Sequence, residues 1–311
     1  MKTKLLILML CTFTISIYAQ EGQPFGKVFT NFNHDNDKNE FELKRAYLGY
    51  SYKMNETFST KITLDVGSNS SGSAYTSFLK IASLSWEPFG NTSINMGMIG
   101  AKNFKFMENA WGRRYIEKSA LDKEKWANAA DLGISMDFKV FDNLTIDGQI
   151  LNGEGYKNIQ DEAGLMRVGF GGTYKFSNFS IRVFRDIVSC NCSDIDQEIT
   201  TAAVSYSNEK LNIGMETDMM DNTNNSEGLD KEIMSFYGSY KILNQITLFG
   251  RYDNYSSLDD WDGYGTYRIL GVETELTKGV KIAANIRTTT NETLPNDIED
   301  NSFYINLEYK F

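Results

Sequence analysis

From Phe58 to Val66 the chain alternates, with Phe58, Thr60, Ile62, Leu64 and Val66 on one parity and Lys61 and Asp65 on the other. Successive side chains of a strand point to opposite faces, so this is a ribbon with one oily side and one wet side. The pattern returns with Leu132, Ile134, Met136, Phe138 and Val140 against Asp131, Asp137 and Lys139. It appears again with Phe179, Ile181 and Val183 against Arg182, and with Ile246, Leu248 and Tyr252 against Arg251 and Asp253. Val280, Ile282, Ala284 and Ile286 likewise oppose Lys281 and Arg287. The last ten residues close on it: Phe303, Ile305, Leu307, Tyr309 and Phe311 alternate with Tyr304, Asn306, Glu308 and Lys310. One segment breaks parity. Over 76–87, Lys80 shares a side with Phe78, Leu84 and Trp86, and a β-bulge near Lys80 would restore the alternation.

Strands are predicted over 26–33, 41–54, 57–67, 76–87, 93–101, 130–140, 144–153, 164–176, 178–188, 198–207, 210–219, 232–242, 245–254, 264–276, 279–289 and 302–311. The even-numbered strands end in tight turns: Asn55-Glu56, Pro88 to Thr92, Asp142-Asn143, Ser177, Asn208-Glu209, Leu243-Asn244 and Thr277-Lys278. The odd-numbered strands end in longer polar loops at 34–40, 68–75, 102–129, 154–163, 189–197, 220–231, 255–263 and 290–301. About sixteen strands with short turns on one rim and long loops on the other predict an all-β, transmembrane antiparallel β-barrel, its short turns and both termini on the periplasmic side. A charge on the lipid face at mid-membrane costs about 2–4 kcal/mol, so the parity is forced. At this strand number side chains no longer fill the interior, and a water-filled channel is expected.

The N-terminus agrees. Lys2 and Lys4 precede an apolar stretch from Leu5 to Ile17, and Ile17-Tyr18-Ala19 is a plausible cleavage site before Gln20. That stretch is too short to span a bilayer as a helix. Met1–Ala19 therefore reads as a removed signal peptide, followed by a single barrel domain over 20–311, with too little chain at Gln20–Phe25 for a plug. The formal charge of −10 argues against nucleic acid and against charge-driven binding of anionic lipid. Cys190 and Cys192 stand two apart, a spacing expected to give a strained ring, so no stabilising disulfide is predicted. As a metal clip, two thiols alone are a weak signal.

The stretch Lys102 to Ala129 is the longest connection, and loops of that length are usually functional or disordered. Its aromatic residues and mixed charges argue against disorder. Folded inward, it would narrow the lumen with Lys105, Glu108, Arg113, Arg114 and Glu117 at a constriction. The bland alternatives pack it over the rim or against a neighbouring protomer. Inward Arg45, Lys61, Arg167, Arg182, Arg251 and Arg287 would form the pore wall. Neutralising Arg113 and Arg114 together is expected to shift ion preference toward cations.

Other classes are weaker. A hydrolase of the Ser/His or Asp/His kind must use His34, the only histidine, which sits beside Asp35 and Asp37 in a solvated loop. A non-conducting scaffold or adhesin could use the acidic stretches Asp221–Asp230 and Asp253–Asp262, whose spacing matches no defined calcium loop.

The tract Met98-Ile-Gly-Ala-Lys-Asn-Phe through Trp111-Gly-Arg-Arg-Tyr-Ile-Glu-Lys-Ser resembles a segment of Bacteroidota outer-membrane porins, and the mature chain resembles that superfamily, distantly including its phosphate-selective type. The ending at Tyr309 and Phe311 is similar to the terminal strand that barrel-assembly machinery recognises. The resemblance implies an outer-membrane location, an inward third loop, passive diffusion of small hydrophilic solutes or ions, and a homotrimer. Such sieving needs no cofactor and no metal.

Overall fold

Alternation along the chain is realised as sixteen strands, given by a computed structural model that describes residues 22–35, 38–67, 75–160, 162–258, 261–291 and 298–311. The leader at 1–19 and the loop acids Asp259, Asp260 and Asp297 lie outside the described residues. The strands are β1 (Gly22–Asp35), β2 (Lys38–Lys53), β3 (Phe58–Gly67), β4 (Thr76–Phe89), β5 (Thr92–Gly100), β6 (Ala130–Phe141), β7 (Leu144–Leu151) and β8 (Met166–Phe176). They continue as β9 (Phe179–Cys190), β10 (Ser193–Ser207), β11 (Leu211–Asp221), β12 (Lys231–Lys241), β13 (Ile246–Ser257), β14 (Gly265–Thr277), β15 (Val280–Asn291) and β16 (Ile298–Lys310). Each pairs antiparallel with its sequence neighbours, and β1 pairs with β16 through Phe32↔Ile305 and Val28↔Tyr309. An even count lets first and last strands meet antiparallel, leaving no edge to aggregate. Gly26 and Phe311 exchange backbone hydrogen bonds at 2.9 and 3.1 Å to seal the seam. A Cβ on Gly26 would lie 2.3 Å from the Phe311 ring, so only glycine leaves room for the terminal aromatic there.

The two faces separate as the sequence requires. Val183, Leu270 and Ile286 point outward, 56, 71 and 57% exposed, while Arg182, Arg251 and Arg287 beside them are buried within. Leaving each such side chain in water forgoes about 1.5–3 kcal/mol, so this band belongs in hydrocarbon. Tyr50, Trp86, Phe141, Phe176 and Tyr240 crowd the short-turn rim, with Trp86 stacked on Phe58 at 6.0 Å. That is the aromatic girdle of a membrane interface.

Lys80 is indeed the bulge. Thr63 pairs with Ile81 and Leu64 with Leu79, so Lys80 has no partner across the ladder. The shift turns Leu79 outward and Phe78 inward, where its ring meets Tyr156 edge-on at 6.2 Å. A second bulge at Lys44 separates Phe29↔Arg45 from Thr30↔Leu43.

Three expectations are corrected. The loops predicted at 34–40 and 189–197 are mostly strand: β1 runs to Asp35 with β2 resuming at Lys38, and β9 reaches Cys190 with β10 starting at Ser193. Beyond the bilayer both faces of a ribbon are wet, so alternation fades while the backbone ladder continues. Cys190 and Cys192 are disulfide-bonded with Cα atoms 5.2 Å apart, inside the range a disulfide spans. They straddle the tip of the β9–β10 hairpin, which brings them closer than an extended chain would.

Candidate functional site

The longest connection folds into the ring rather than over it. Lys105–Trp111 forms a helix, α1, and Ala120–Lys123 a single turn, α2. Helix α1 stops at Gly112, whose φ of 64° is the left-handed conformation glycine adopts without strain, and whose N–H donates to Glu108 O at 3.0 Å. Turn α2 starts at Ser119, whose hydroxyl accepts from the Asp122 N–H at 3.4 Å.

What holds the loop is an apolar cluster inside the barrel. Met107, Trp111, Tyr115, Ile116 and Leu121 are all but fully buried against inward Phe29, Ile199, Ile233, Tyr237, Phe249 and Ile269. Trp111 meets Tyr237 and Phe249 edge-on at 6.4 and 6.0 Å, and its Nε1 donates to Glu117 O at 3.1 Å. Around this cluster the polar groups of the loop find partners on the wall. Glu273 of β14 accepts from Arg113 Nη2 at 3.1 Å and from the Tyr115 hydroxyl at 2.7 Å. Glu117 accepts from Arg287 Nη1 at 3.1 Å and from the Tyr267 hydroxyl at 2.9 Å. Arg287 also donates to Ile116 O at 2.9 Å, and Arg251 donates to Lys118 O. At the other end of the loop Asn103 donates to Asp186 at 2.8 Å and Lys102 N to Gln149 at 2.7 Å.

Burial by itself would raise the Glu117 pKa. Arg287, the Lys118 N–H, Arg251 and Lys44 outweigh it and hold the carboxyl at about 2. Arg114 is likewise kept firmly charged: burial opposes the cation, but Tyr47, Asp122, Glu108 and Glu117 raise its pKa.

The structure sorts the sequence-derived residues. Lys105, Glu108, Arg113, Arg114 and Glu117 do sit on the inward loop, yet only Lys105 is exposed and without a carboxylate partner among the described residues. Arg113 is buried over Phe249 and paired with Glu273, and Arg114 bridges Glu108 and Asp122 at 3.1 and 3.2 Å. The wall arginines serve the loop or a neighbour. Arg45 pairs with Asp65 at 2.9 Å, Arg167 with Asp186 at 2.7 Å, Arg182 with Asp147 at 2.7 Å and Arg251 with Asp253 at 2.6 Å. Lys61 faces the lumen over the Phe25 ring at 5.0 Å. His34 bonds Asn39 Oδ1 at 2.9 Å on the exposed first hairpin. Tyr309 points outward beside the seam, and Phe311 is exposed at its foot.

Sequence reasoning missed Tyr156. Part of the connection after β7, it reaches inward to donate from its hydroxyl to Asp65 at 2.6 Å, sharing that carboxylate with Arg45. A Gly153 and Gly155 pair with φ of 111° and 84° turns this connection toward the lumen, the one local signal.

Because the apolar body of the loop packs on β10 to β16 and β1, space remains on the opposite side. One cavity of about 760 Å³ runs along β2 to β6, lined by Lys53, Lys61, Lys80, Lys102, Lys105 and Glu108 among others. A second of about 580 Å³ runs along β6 to β10 and shares Lys102 and Lys105 with the first.

This barrel has the fold of outer-membrane porins. It superposes on the outer-membrane channel DcaP of Acinetobacter baumannii with a TM-score of 0.72 and 11% identity, over 95% of this chain and 99% of that one. For an anion-selective porin from Comamonas acidovorans the TM-score is 0.70 and the identity 12%, over 94% and 100%. For OmpT of Vibrio cholerae, an outer membrane protein in trimer form, they are 0.67 and 15%, over 94% and 100%. No family model matches the chain, and no curated protein matches it by sequence.

Proposed function

We propose that the protein is an outer-membrane porin, exported with a cleaved signal peptide, through which small hydrophilic solutes and ions diffuse passively. The observation that carries this reading is the third loop, docked inside the ring against one wall and leaving cavities lined by charged and hydroxyl side chains along the other. A barrel meant only as a scaffold gains nothing from wetting half its interior while sealing the other half with Trp111 and Tyr115. The loop acts as the constriction: it reduces a sixteen-stranded lumen to an eccentric passage beside α1, where size and charge decide what passes. Lys105 and Glu108 are the members of the constriction set that line this passage, Glu108 tied to Arg114 and Lys105 without a carboxylate partner among the described residues. The resemblance to Bacteroidota porins, assembly through the Phe311 terminus and a homotrimeric state belong to the same reading.

Planar-bilayer recording tests it. The purified mature chain is expected to insert in discrete, ohmic steps. Absence of steps, with the folded protein verified by its heat-dependent gel mobility, rejects the pore. A hydrolase at His34 makes the contrary demand: lipid or peptide hydrolysis abolished by His34→Ala with conductance unchanged.

A further inference from the structure

The chain is acidic, but its surplus of negative charge does not line the passage. In the larger cavity Glu108 is tied to Arg114, and Glu56 and Glu87 stand at the short-turn rim. Lys53, Lys61, Lys80 and Lys105 line the same space, and among the described residues none of the four has a carboxylate within ion-pair distance. They climb the β2–β4 wall in order: Lys53 sits across from Ser59, Lys61 is two residues further along β3 across from Ser83, and Lys80 lies beyond Ser83 toward the long-loop side.

At the top of this series the lysines meet aromatic rings. Lys80 Nζ lies 5.0 Å from the Tyr47 ring centre and 5.5 Å from that of Tyr156, with the Tyr47 hydroxyl at 3.5 Å. Lys157 Nζ lies 5.8 Å from the Tyr156 ring and 5.1 Å from Phe78. Asp65, the acid whose charge reaches Lys157, is fully buried and already shared by Arg45 and the Tyr156 hydroxyl. Lys157 is exposed, yet burial first and then nearby Arg45, Lys118 and Lys80 lower its pKa, while Asp65 opposes them. Around it the positive groups Arg45, Lys118 and Lys80 outnumber the one opposing carboxylate, Asp65.

We infer that Lys80 and Lys157, with the rings of Phe78, Tyr47 and Tyr156, form a binding station for small organic anions at the extracellular end of the passage. A negative group sits between two ammonium groups, and its apolar body lies along the rings. Lysines alone would draw any small anion. The rings add a preference for anions with a flat or apolar body, because such a body gains by leaving water and chloride has none. The bulge at Lys80 is what makes the station: without it, strand parity would send both Lys80 and Phe78 into lipid beside Leu84 and Trp86. The lysines at 61, 53 and 105 then give the anion positions of similar charge to step through, so that entry does not become a trap. This inference rests on the porin reading and names the class of solute the passage favours.

The test uses the full mature protein in planar bilayers, with benzoate, acetate and chloride as probes. Under a KCl gradient the wild type is expected to reverse on the anion-selective side. Benzoate is expected to interrupt the chloride current at lower concentration than acetate does. In the Lys80→Gln/Lys157→Gln double variant the benzoate block should weaken about tenfold, the loss of two solvent-accessible charge contacts. Phe78→Leu should weaken benzoate block and leave that of acetate unchanged. Lys175→Gln, in the second cavity, should retain both. Channels that open normally but treat benzoate as acetate, or a double variant that keeps its block, overturn the station and leave the pore standing. Saturation-transfer NMR on the detergent-solubilised protein reads the same binding without a channel. Benzoate binding lost in the double variant of a non-conducting barrel keeps the station and removes the pore, and no benzoate binding at all removes the station.

Discussion

Replacing Glu117 by Gln tests how firmly the third loop is pinned. The side chain keeps its shape and one acceptor, so packing around Trp111 and Tyr267 is preserved, but the charge that faces Arg287, Arg251 and Lys44 is gone. Glu117 is held at about 2 against an ordinary value of 4.5, a difference that corresponds to about 3 kcal/mol of loop stability at neutral pH. The lost charge also leaves the buried Arg287 guanidinium without a carboxylate partner among the described residues, beside Asn285, Asn306, a backbone carbonyl and the Tyr304 ring. Three kcal/mol raises the population of the undocked loop by about a hundredfold. Trypsin reads this directly, because Arg113, Arg114 and Lys118 are inaccessible to a protease while the loop is docked. When reclosing outpaces cleavage, the cleavage rate follows the open population. The variant in vesicles should be cut at these sites about a hundred times faster than the wild type, with the barrel itself intact on a gel. Cleavage within threefold of the wild type, against an unchanged Lys105→Gln control, would refute the claim that this carboxylate fastens the loop.

Other expectations follow from the same geometry. Since the folded pKa of Glu117 lies below its unfolded value, its contribution is complete above about 4.5 and disappears as pH falls through about 2. Emission from the buried Trp111 and Trp126 should therefore shift to the red near pH 2 and stay constant at pH 4 to 5, the ordinary titration range of a Glu. Arg113→Gln should leave the reversal potential almost unmoved while increasing loop proteolysis, because its charge is spent on Glu273. Val183→Arg, at the middle of the oily band, should lower unfolding stability in vesicles by about 2–4 kcal/mol, as measured in urea titrations. Joint replacement of Cys190 and Cys192 by Ser should lower it by no more than about 1–2 kcal/mol, since so short a loop has little closure entropy to remove.

The barrel was legible because lipid enforces parity: a misplaced Arg182 or Lys281 would face hydrocarbon, so the period of two survives along the strands except at bulges such as those at Lys44 and Lys80. Even the exception at Lys80 was readable, as a break in that period. The strand ends were not, because above the bilayer polar residues such as His34 and Asn39 suit either face. The inward course of the third loop was suggested by its length and by the porin resemblance, but its fastenings were hidden. Arg113 finds Glu273 and Tyr115 finds Asn306 across more than 150 residues of chain, and no local signal links them. For that reason Arg113 looked like a filter residue. The sign of the passage was hidden for a related reason. Acidic residues dominate the total, yet Asp65, Asp147, Asp186 and Glu273 each bond a guanidinium, and along the larger cavity Lys53, Lys61, Lys80 and Lys105 stand without an acidic partner among the described residues. The disulfide was misjudged because a two-residue spacing was taken to force a strained ring, when the cysteines flank a hairpin tip with Cα atoms 5.2 Å apart.

Single-channel conductance of the wild type beside a variant with residues 104–127 replaced by a short Gly-Ser linker addresses the central claim most directly. The docked loop should hold the wild type to a small, steady conductance, and its removal should raise the conductance severalfold and erase the distinction between benzoate and chloride in size-limited flux. Equal conductances, or a wild type that never opens, would contradict the account.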